Sequence, residues 1–142
     1  MKMIDEIRIE ASRDEVFAAL NDPEILSQAI PGCRDLKQTS ETELTATVQA
    51  KVGPVKATFK GSVTLSNIKA PESYTISGAG KGGAAGFAKG SAQVTLLEDG
   101  KSTILRYEVN AEVGGKLAQV GSRLIEGSSK KLANEFFRLS GC

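Results

Sequence analysis

Alternation of apolar and polar residues dominates much of the chain. The pattern is clearest in segments 44–52, 55–65 and 103–113, where every second residue is apolar or glycine. Such period-two alternation indicates antiparallel strands with one face packed against a core and the other facing water. Residues 3–10, 73–79 and 86–97 have a less regular pattern and predict three further strands.

Turn signals separate these segments. Gly53-Pro54 breaks the first pair, Ala70-Pro71-Glu72 breaks the second, and Glu98-Asp99-Gly100-Lys101 is typical of a tight hairpin. The pattern contains no strand-helix-strand alternation, which disfavours a parallel sheet. We therefore predict strands joined in sequence order as a curved antiparallel sheet.

Helical signals flank the predicted sheet. Ser12 and Glu15 resemble a capping box that opens a short helix at 13–20, and Asp22-Pro23 fits the start of a second short helix. A long amphipathic helix is predicted at about 115–139. We expect it to cover the apolar face of the sheet within one domain, residues 1–142. Its apolar stripe consists of Leu117, Val120, Leu124, Ile125, Leu132, Phe136 and Leu139.

Small residues are concentrated at the positions predicted to face inward. Protein interiors are close-packed, so small side chains imply either close backbones or an unfilled space. A gap of roughly 10 Å between sheet and helix is hard to close with alanine and glycine. We therefore favour an apolar cavity; the alternative is tight packing of helix on sheet through the glycines. The small positions include Ala46, Ala50, Ala57, Gly61, Gly78, Gly80, Ala88, Gly90, Ala92 and Ala111, with Gly121 and Ser128 on the helix.

Composition excludes several kinds of chemistry. The 142 residues include no histidine, which removes His-dependent nucleophilic catalysis and most zinc sites. Cys33 and Cys142 lack metal-ligand spacing, and Cys142 is not part of a prenylation motif. A net charge of +1 argues against binding to nucleic acid. With no signal peptide or membrane-spanning apolar run, we expect a cytoplasmic protein.

Two weaker motifs have structural explanations. Gly78-x-Gly80-x-x-Gly83 matches the dinucleotide fingerprint, but the residues that follow predict a strand instead of a helix. A bulged edge or a cavity rim explains these glycines better. Lys116, Arg123 and Lys130 form a basic stripe that could meet an anionic membrane surface, and a solvated helix face is the alternative.

Three stretches of the chain resemble the G-subunit family of carbon monoxide dehydrogenase. They are LNDPEILSQAIPGC (20–33), GAGKGGAAGFAKGSAQV (78–94) and VGGKLAQVGSRLIEGSSKKLANEFF (113–137), and FKGSV (59–63) adds to them. The resemblance implies an α+β, helix-grip (START-like) fold. In that fold a curved antiparallel sheet of about six to seven strands wraps around a long C-terminal helix, with two short helices after the first strand. The periodicity of the chain independently predicts the same arrangement.

The resemblance also implies an accessory role without catalysis or a bound metal or covalent cofactor. Family members accompany molybdenum hydroxylases of the carbon monoxide dehydrogenase type, help to recruit them to the inner face of the membrane, and handle a quinone. Many carry a C-terminal extension with a membrane anchor. This sequence ends at Cys142 without one, so we expect either a member that lacks the extension or a chain from which it was removed.

These observations lead to a hypothesis of a carrier for a quinone or isoprenoid lipid. Residues 78–86 and 21–33 would frame the mouth of the cavity, and Tyr107 or Ser128 would donate a hydrogen bond to a quinone carbonyl. A docking module with a filled core and a cyclase-like or hydrolase-like enzyme remain as alternatives. The proposed cavity wall is Val48, Phe59, Val63, Gly78, Ala92, Val94, Tyr107, Val109, Leu117, Val120, Leu124 and Ser128.

Overall fold

A single sheet and three α-helices make up the part of the chain that the structure describes. The computed structural model describes residues 1–140, with side chains through Arg138, so Cys142 lies outside the described residues. The strands are β1 Lys2–Ile9, β2 Cys33–Gln38, β3 Glu43–Val52, β4 Val55–Lys69, β5 Ser73–Lys81, β6 Phe87–Asp99 and β7 Ser102–Gly114. The helices are α1 Arg13–Leu20, α2 Pro23–Ala29 and α3 Ser122–Ser140, with 3₁₀ helices at Gly83–Ala85 and Gly115–Val120.

The sheet is antiparallel throughout, with strand order β1-β7-β6-β5-β4-β3-β2. Strands β2 to β7 follow one another as a meander, and β1 joins the far edge by pairing with β7. The apolar residues predicted to share one face of the sheet are cross-strand neighbours, as in Val48 opposite Phe59 and Ala92 opposite Val109. The predicted fold class is confirmed.

Both short helices begin where the sequence predicts. The Ser12 hydroxyl accepts a hydrogen bond from the Glu15 backbone N–H at 3.3 Å, and the Asp22 carboxylate accepts one from the Glu24 N–H at 2.9 Å. These caps satisfy donors that the first helical turn leaves free. Pro23 occupies the first turn of α2, where its missing N–H costs nothing.

The long C-terminal helix is shorter than predicted. The expected span of about 115–139 is wrong at its start, because residues 115–120 form a 3₁₀ helix and α3 begins at Ser122. Gly121 separates the two with φ +96°, a left-handed conformation that glycine adopts without steric cost. Gly121 is exposed and does not face the sheet. Among the described helices, none combines the length and the hydropathy needed to cross a bilayer.

Strand β2 is an element that the alternation did not predict. It forms the edge of the sheet beside β3, and its register shifts between Cys33 and Asp35. Its sequence, CRDLKQ, is mostly polar and has no regular apolar face, because an edge strand with a bulge buries few side chains.

The packed core occupies only one end of the molecule. It lies where α1 and the C-terminal part of α3 cover the sheet, and its buried side chains are close to fully excluded from solvent. Towards the other end, the inner face of the sheet is formed by the small residues predicted above. The core cluster includes Ile7, Val16, Leu20, Leu65, Tyr74, Val94, Leu96, Leu105, Tyr107 and Phe137.

Candidate functional site

Two apolar cavities lie between the sheet and α3. The first, which we call the helix-flank cavity, has a volume of about 420 Å³. Its walls come from the inner face of the sheet, from the last turns of α3 and from the segment that joins α2 to β2. Its lining residues are Ile30, Pro31, Gly32, Val48, Gln49, Ala50, Lys51, Ile76, Ala92, Val109, Leu132, Ala133, Phe136 and Phe137.

The second cavity, which we call the glycine-floor cavity, has a volume of about 360 Å³. It lies over small residues of the central strands β4, β5 and β6, and Ser129 is the α3 residue that borders it. Val48 contributes to both cavities. Each volume falls within the range of small-molecule sites, roughly 300–1,000 Å³. The apolar lining of the glycine-floor cavity includes Ala46, Val48, Phe59, Gly61, Val63, Gly78, Gly80, Ala88, Ala111 and Val113.

Cross-strand pairing explains the floor of this second cavity. Gly61 lies opposite Gly80, and Gly78 lies opposite Gly90, so small residues from three neighbouring strands meet on one face. A Cβ atom at Gly61 would overlap the backbone carbonyl oxygen of Ala79. Glycine is therefore required there for the close approach of β4 and β5, and it also leaves the floor without side chains.

The loop between α2 and β2 forms one rim of the helix-flank cavity. Gly32 has φ +76°, and its carbonyl accepts a hydrogen bond from the Gln49 backbone N–H at 2.9 Å. The Gln49 side chain in turn accepts a hydrogen bond from Arg34 at 2.7 Å. Of the region 21–33 that the sequence predicts at a cavity mouth, Ile30, Pro31 and Gly32 line this cavity.

Six of the twelve residues predicted as cavity wall line one of the two cavities. Val48, Ala92 and Val109 border the helix-flank cavity, and Val48, Phe59, Val63 and Gly78 border the glycine-floor cavity. All six are strand residues. The period-two pattern determines which face of the sheet these six side chains occupy.

The other six predicted residues lie elsewhere. Val94, Tyr107 and Leu117 are buried in packed regions. Val120, Leu124 and Ser128 line a depression beside Gly121 and Gly127 instead of the sheet–helix space. Leu117 and Val120 precede α3, which begins at Ser122, and Leu124 and Ser128 lie on a different face of α3 from the residues that border the cavities.

The α3 residues that do border the cavities follow a different stripe. Ser129, Ala133, Phe136 and Phe137 face the sheet, at spacings typical of one helix face, and Leu132 lies at its edge. The sequence contains this signal in Leu132 and Phe136. A helix break at Gly121 removes Val120 from this stripe, whereas Leu124 is excluded only by the rotation of α3 over the sheet.

Tyr107 lines neither apolar cavity, although its neighbour Phe137 lines the helix-flank cavity. Its hydroxyl donates a hydrogen bond to Asn134 Oδ1 at 2.8 Å, and its ring stacks on Phe137 with a centroid distance of 4.8 Å. Burial, with a contribution from the charge of Asp5, raises the pKa of the Tyr107 hydroxyl. Tyr107 is therefore a neutral structural group of β7 that packs against α3, and its hydroxyl proton is directed at a protein acceptor.

Acid–base and metal chemistry have little support in these cavities. The charged side chains at the edges are Lys51 beside the helix-flank cavity and the Lys89–Glu112 ion pair, 3.5 Å apart, beside the glycine-floor cavity, which Met1 also lines. Burial raises the pKa of the Cys33 thiol, which opposes formation of a reactive thiolate. Among residues 1–140, no cluster of three or more potential metal ligands occurs.

The fold and the apolar space beneath its last helix define a START-like, helix-grip protein. The chain is similar to a START superfamily protein from Mycobacterium smegmatis, at 15% identity and a TM-score of 0.68, covering 96% of this chain and 94% of that one. It is also similar to the Zhui aromatase/cyclase from Streptomyces sp. R1128, at 10% identity and a TM-score of 0.66, covering 99% and 90% of the two chains. At such low identity these likenesses show the fold alone.

A family model narrows this class. The model for the G-subunit of carbon monoxide dehydrogenase (CoxG) matches residues 6–139, and the chain belongs to this family. A conserved protein from Geobacillus kaustophilus is 32% identical, with a TM-score of 0.93, covering 99% of this chain and 93% of that one. No curated protein matches the chain significantly. Family and fold together suggest a ligand-binding accessory protein.

Proposed function

We propose that this protein is a non-catalytic accessory protein that binds a hydrophobic ligand, a quinone or an isoprenoid lipid, in the space between sheet and α3. It would serve a molybdenum hydroxylase of the carbon monoxide dehydrogenase type and would help to couple that enzyme to the inner face of the membrane. The family supports the accessory role and the partner class.

The observation that carries the ligand proposal is the helix-flank cavity. Its volume is about 420 Å³, and aliphatic and aromatic side chains form most of its wall. Burial of apolar ligand surface would supply the driving force, about 25 cal/mol per Å² removed from water. A planar quinone ring with the first part of an isoprenoid tail suits a wall of this kind.

Two alternatives have less support. A docking module with a filled core would not need the two cavities that flank α3. An enzyme of the cyclase type would need polar groups that converge on a substrate. Of the two tyrosines, Tyr107 is hydrogen-bonded to Asn134, and Tyr74 is buried in the packed core without lining either cavity.

Filling the helix-flank cavity tests the ligand proposal. We expect Ala92→Phe to weaken binding of a short-chain ubiquinone by about tenfold or more, because the added ring occupies the space that the ligand needs. Isothermal titration calorimetry gives the affinity. Ala18→Phe is the matched control, since Ala18 is exposed on α1 and the same change there leaves both cavities open.

A second variant keeps this test independent of misfolding. Val109→Phe enlarges another side chain on the same wall and should give the same loss. Circular dichroism and the urea midpoint identify which variants are folded. Undiminished ubiquinone binding by a folded Ala92→Phe or Val109→Phe protein would contradict the assignment of this cavity.

A further inference from the structure

Charge is strongly segregated along the molecule. Residues 50–61, 79–90 and 112–131 meet at one end, which comprises the β3–β4 turn, the β5–β6 connection and the start of α3. We call this end the basic pole. The three ranges carry nine of the 18 basic residues and, of the 17 acidic ones, Glu112 and Glu126. Two further carboxylates lie nearby, because Asp35 is in register with Lys60 two strands away and Asp5 pairs with Lys130 at 3.8 Å. Basic residues still outnumber acidic ones at this end, which the net charge of +1 for the whole chain does not reveal. The basic residues are Lys51, Lys56, Lys60, Lys81, Lys89, Lys116, Arg123, Lys130 and Lys131.

Like charges lie directly opposite each other at the basic pole. Lys51 is the cross-strand partner of Lys56, and Lys60 is the partner of Lys81. Such pairs destabilise a sheet. On the edge strand β1, in contrast, neighbouring charges are complementary, as in Glu6 with Arg106 at 3.8 Å.

These lysines also lack internal counter-charges. Within the described residues, Lys51, Lys56, Lys60 and Lys81 form no ion pair, and all four are exposed. Two lysine pairs that cost stability and have no ion-pair partner among the described residues fit a surface that meets anions from outside.

Apolar groups accompany the charges. Leu124 is 41% exposed and packs beside Gly53 at the β3–β4 turn, and Phe87 is 39% exposed at the start of β6. The glycine-floor cavity also lies at this end, because its lining residues Phe59 and Gly80 directly precede Lys60 and Lys81. Cations, exposed apolar side chains and an apolar cavity thus share one end.

We infer that the basic pole docks on an anionic lipid bilayer, with the glycine-floor cavity turned towards the membrane. This inference rests on the proposed function, since it names the surface through which a hydrophobic ligand would enter. A bilayer offers both anionic headgroups for the lysines and an apolar layer for Leu124 and Phe87. A nucleic acid would satisfy the charges but leave the apolar side chains and the cavity without a role.

Charge reversal on β4 tests the inference. Each basic residue near an anionic membrane surface strengthens binding about fivefold, so Lys60→Glu, which changes the charge by two units, should weaken binding about 25-fold. Flotation with vesicles of phosphatidylcholine and phosphatidylglycerol measures the loss, and vesicles of phosphatidylcholine alone should bind weakly. Lys69→Glu is the matched control, because it lies on the same strand at the opposite end.

Stability separates this effect from misfolding. The carboxylate introduced by Lys60→Glu would face Lys81, so the urea midpoint should stay equal or rise while vesicle binding falls. Lys56→Glu, facing Lys51, should behave in the same way.

Three results would overturn the inference: no binding to anionic vesicles, equal weakening by Lys69→Glu, or tighter binding to a DNA duplex than to the vesicles. Ubiquinone binding, measured without vesicles, identifies which proposal fails. Retained quinone binding without vesicle binding would reject the docking surface alone, and the reverse would reject the ligand proposal alone.

Discussion

The hydroxyl groups of Tyr74 and Tyr107 differ in whether they form a hydrogen bond, although both side chains are buried. Tyr107 donates to Asn134 Oδ1, whereas the Tyr74 hydroxyl has no hydrogen-bond partner among the described residues. Burial raises the pKa of Tyr74 as well, and its ring meets Phe17 edge-on at a centroid distance of 5.8 Å. A buried hydroxyl contributes to stability only when it is paired.

The two tyrosines therefore give opposite results when changed to phenylalanine. Tyr107→Phe should lower the free energy of unfolding by about 1 kcal/mol, because Asn134 loses its donor. Tyr74→Phe should change it by less than about 0.5 kcal/mol or raise it, because no hydrogen bond is lost. Urea denaturation at neutral pH measures both. Equal destabilisation by the two substitutions would show that Tyr74 also has a partner.

Glycine has different roles in strand β4 and helix α3. At Gly61 a Cβ atom would collide with the β5 backbone, whereas a Cβ atom at Gly127 would meet nothing within 4 Å. Gly127 lies inside α3 and is exposed, and the structure gives no packing reason for a glycine there. The cost of a helical glycine at this position is thus not offset by a contact.

Matched alanine substitutions should separate these roles. We expect Gly61→Ala to destabilise the protein by about 2 kcal/mol through overpacking of β4 against β5. Gly127→Ala should stabilise it by about 1 kcal/mol, because alanine favours the helical conformation. Thermal unfolding followed by circular dichroism provides the comparison. A stable Gly61→Ala protein would mean that the strands can separate at this point without cost.

Elements with a strong local signal were predicted well, and those that depend on tertiary context were not. Strands β3, β4 and β7 follow from alternation, and α1 follows from its capping box. Strand β2 escaped prediction because CRDLKQ pairs at an edge and buries few side chains. The spacing predicts too early a start for α3, because the apolar positions Leu117 and Val120 continue the helical spacing across the break at Gly121.

The sequence predicts the part of the candidate site that comes from the strands, but not the part that comes from helix α3. Strand parity determines which side chains face inward, so Phe59, Ala92 and Val109 could be assigned from the sequence. The helix wall depends on where α3 begins and how it is rotated over the sheet. The start and the rotation of α3 depend on tertiary contacts such as Leu124 against Gly53, which a local sequence pattern does not predict.

At the scale of the whole molecule, the packed core and the exposed basic residues lie at opposite ends. The end near α1 holds the aromatic and aliphatic core, and the other holds the small residues, the glycine-floor cavity and four lysines that form no ion pair among the described residues. The core can stabilise the fold while the helix-flank cavity beside it stays open to a ligand. The central claim is that the open space carries a hydrophobic molecule.

Organic extraction of the freshly purified, denatured protein followed by mass spectrometry tests that claim most directly. The account predicts an isoprenoid quinone or a related lipid at close to one molecule per chain, and less of it from Ala92→Phe than from Ala18→Phe. An extract without such a molecule, both as purified and after incubation with quinone-containing membranes, would contradict it. The small inward residues would then serve the packing of α3 on the sheet.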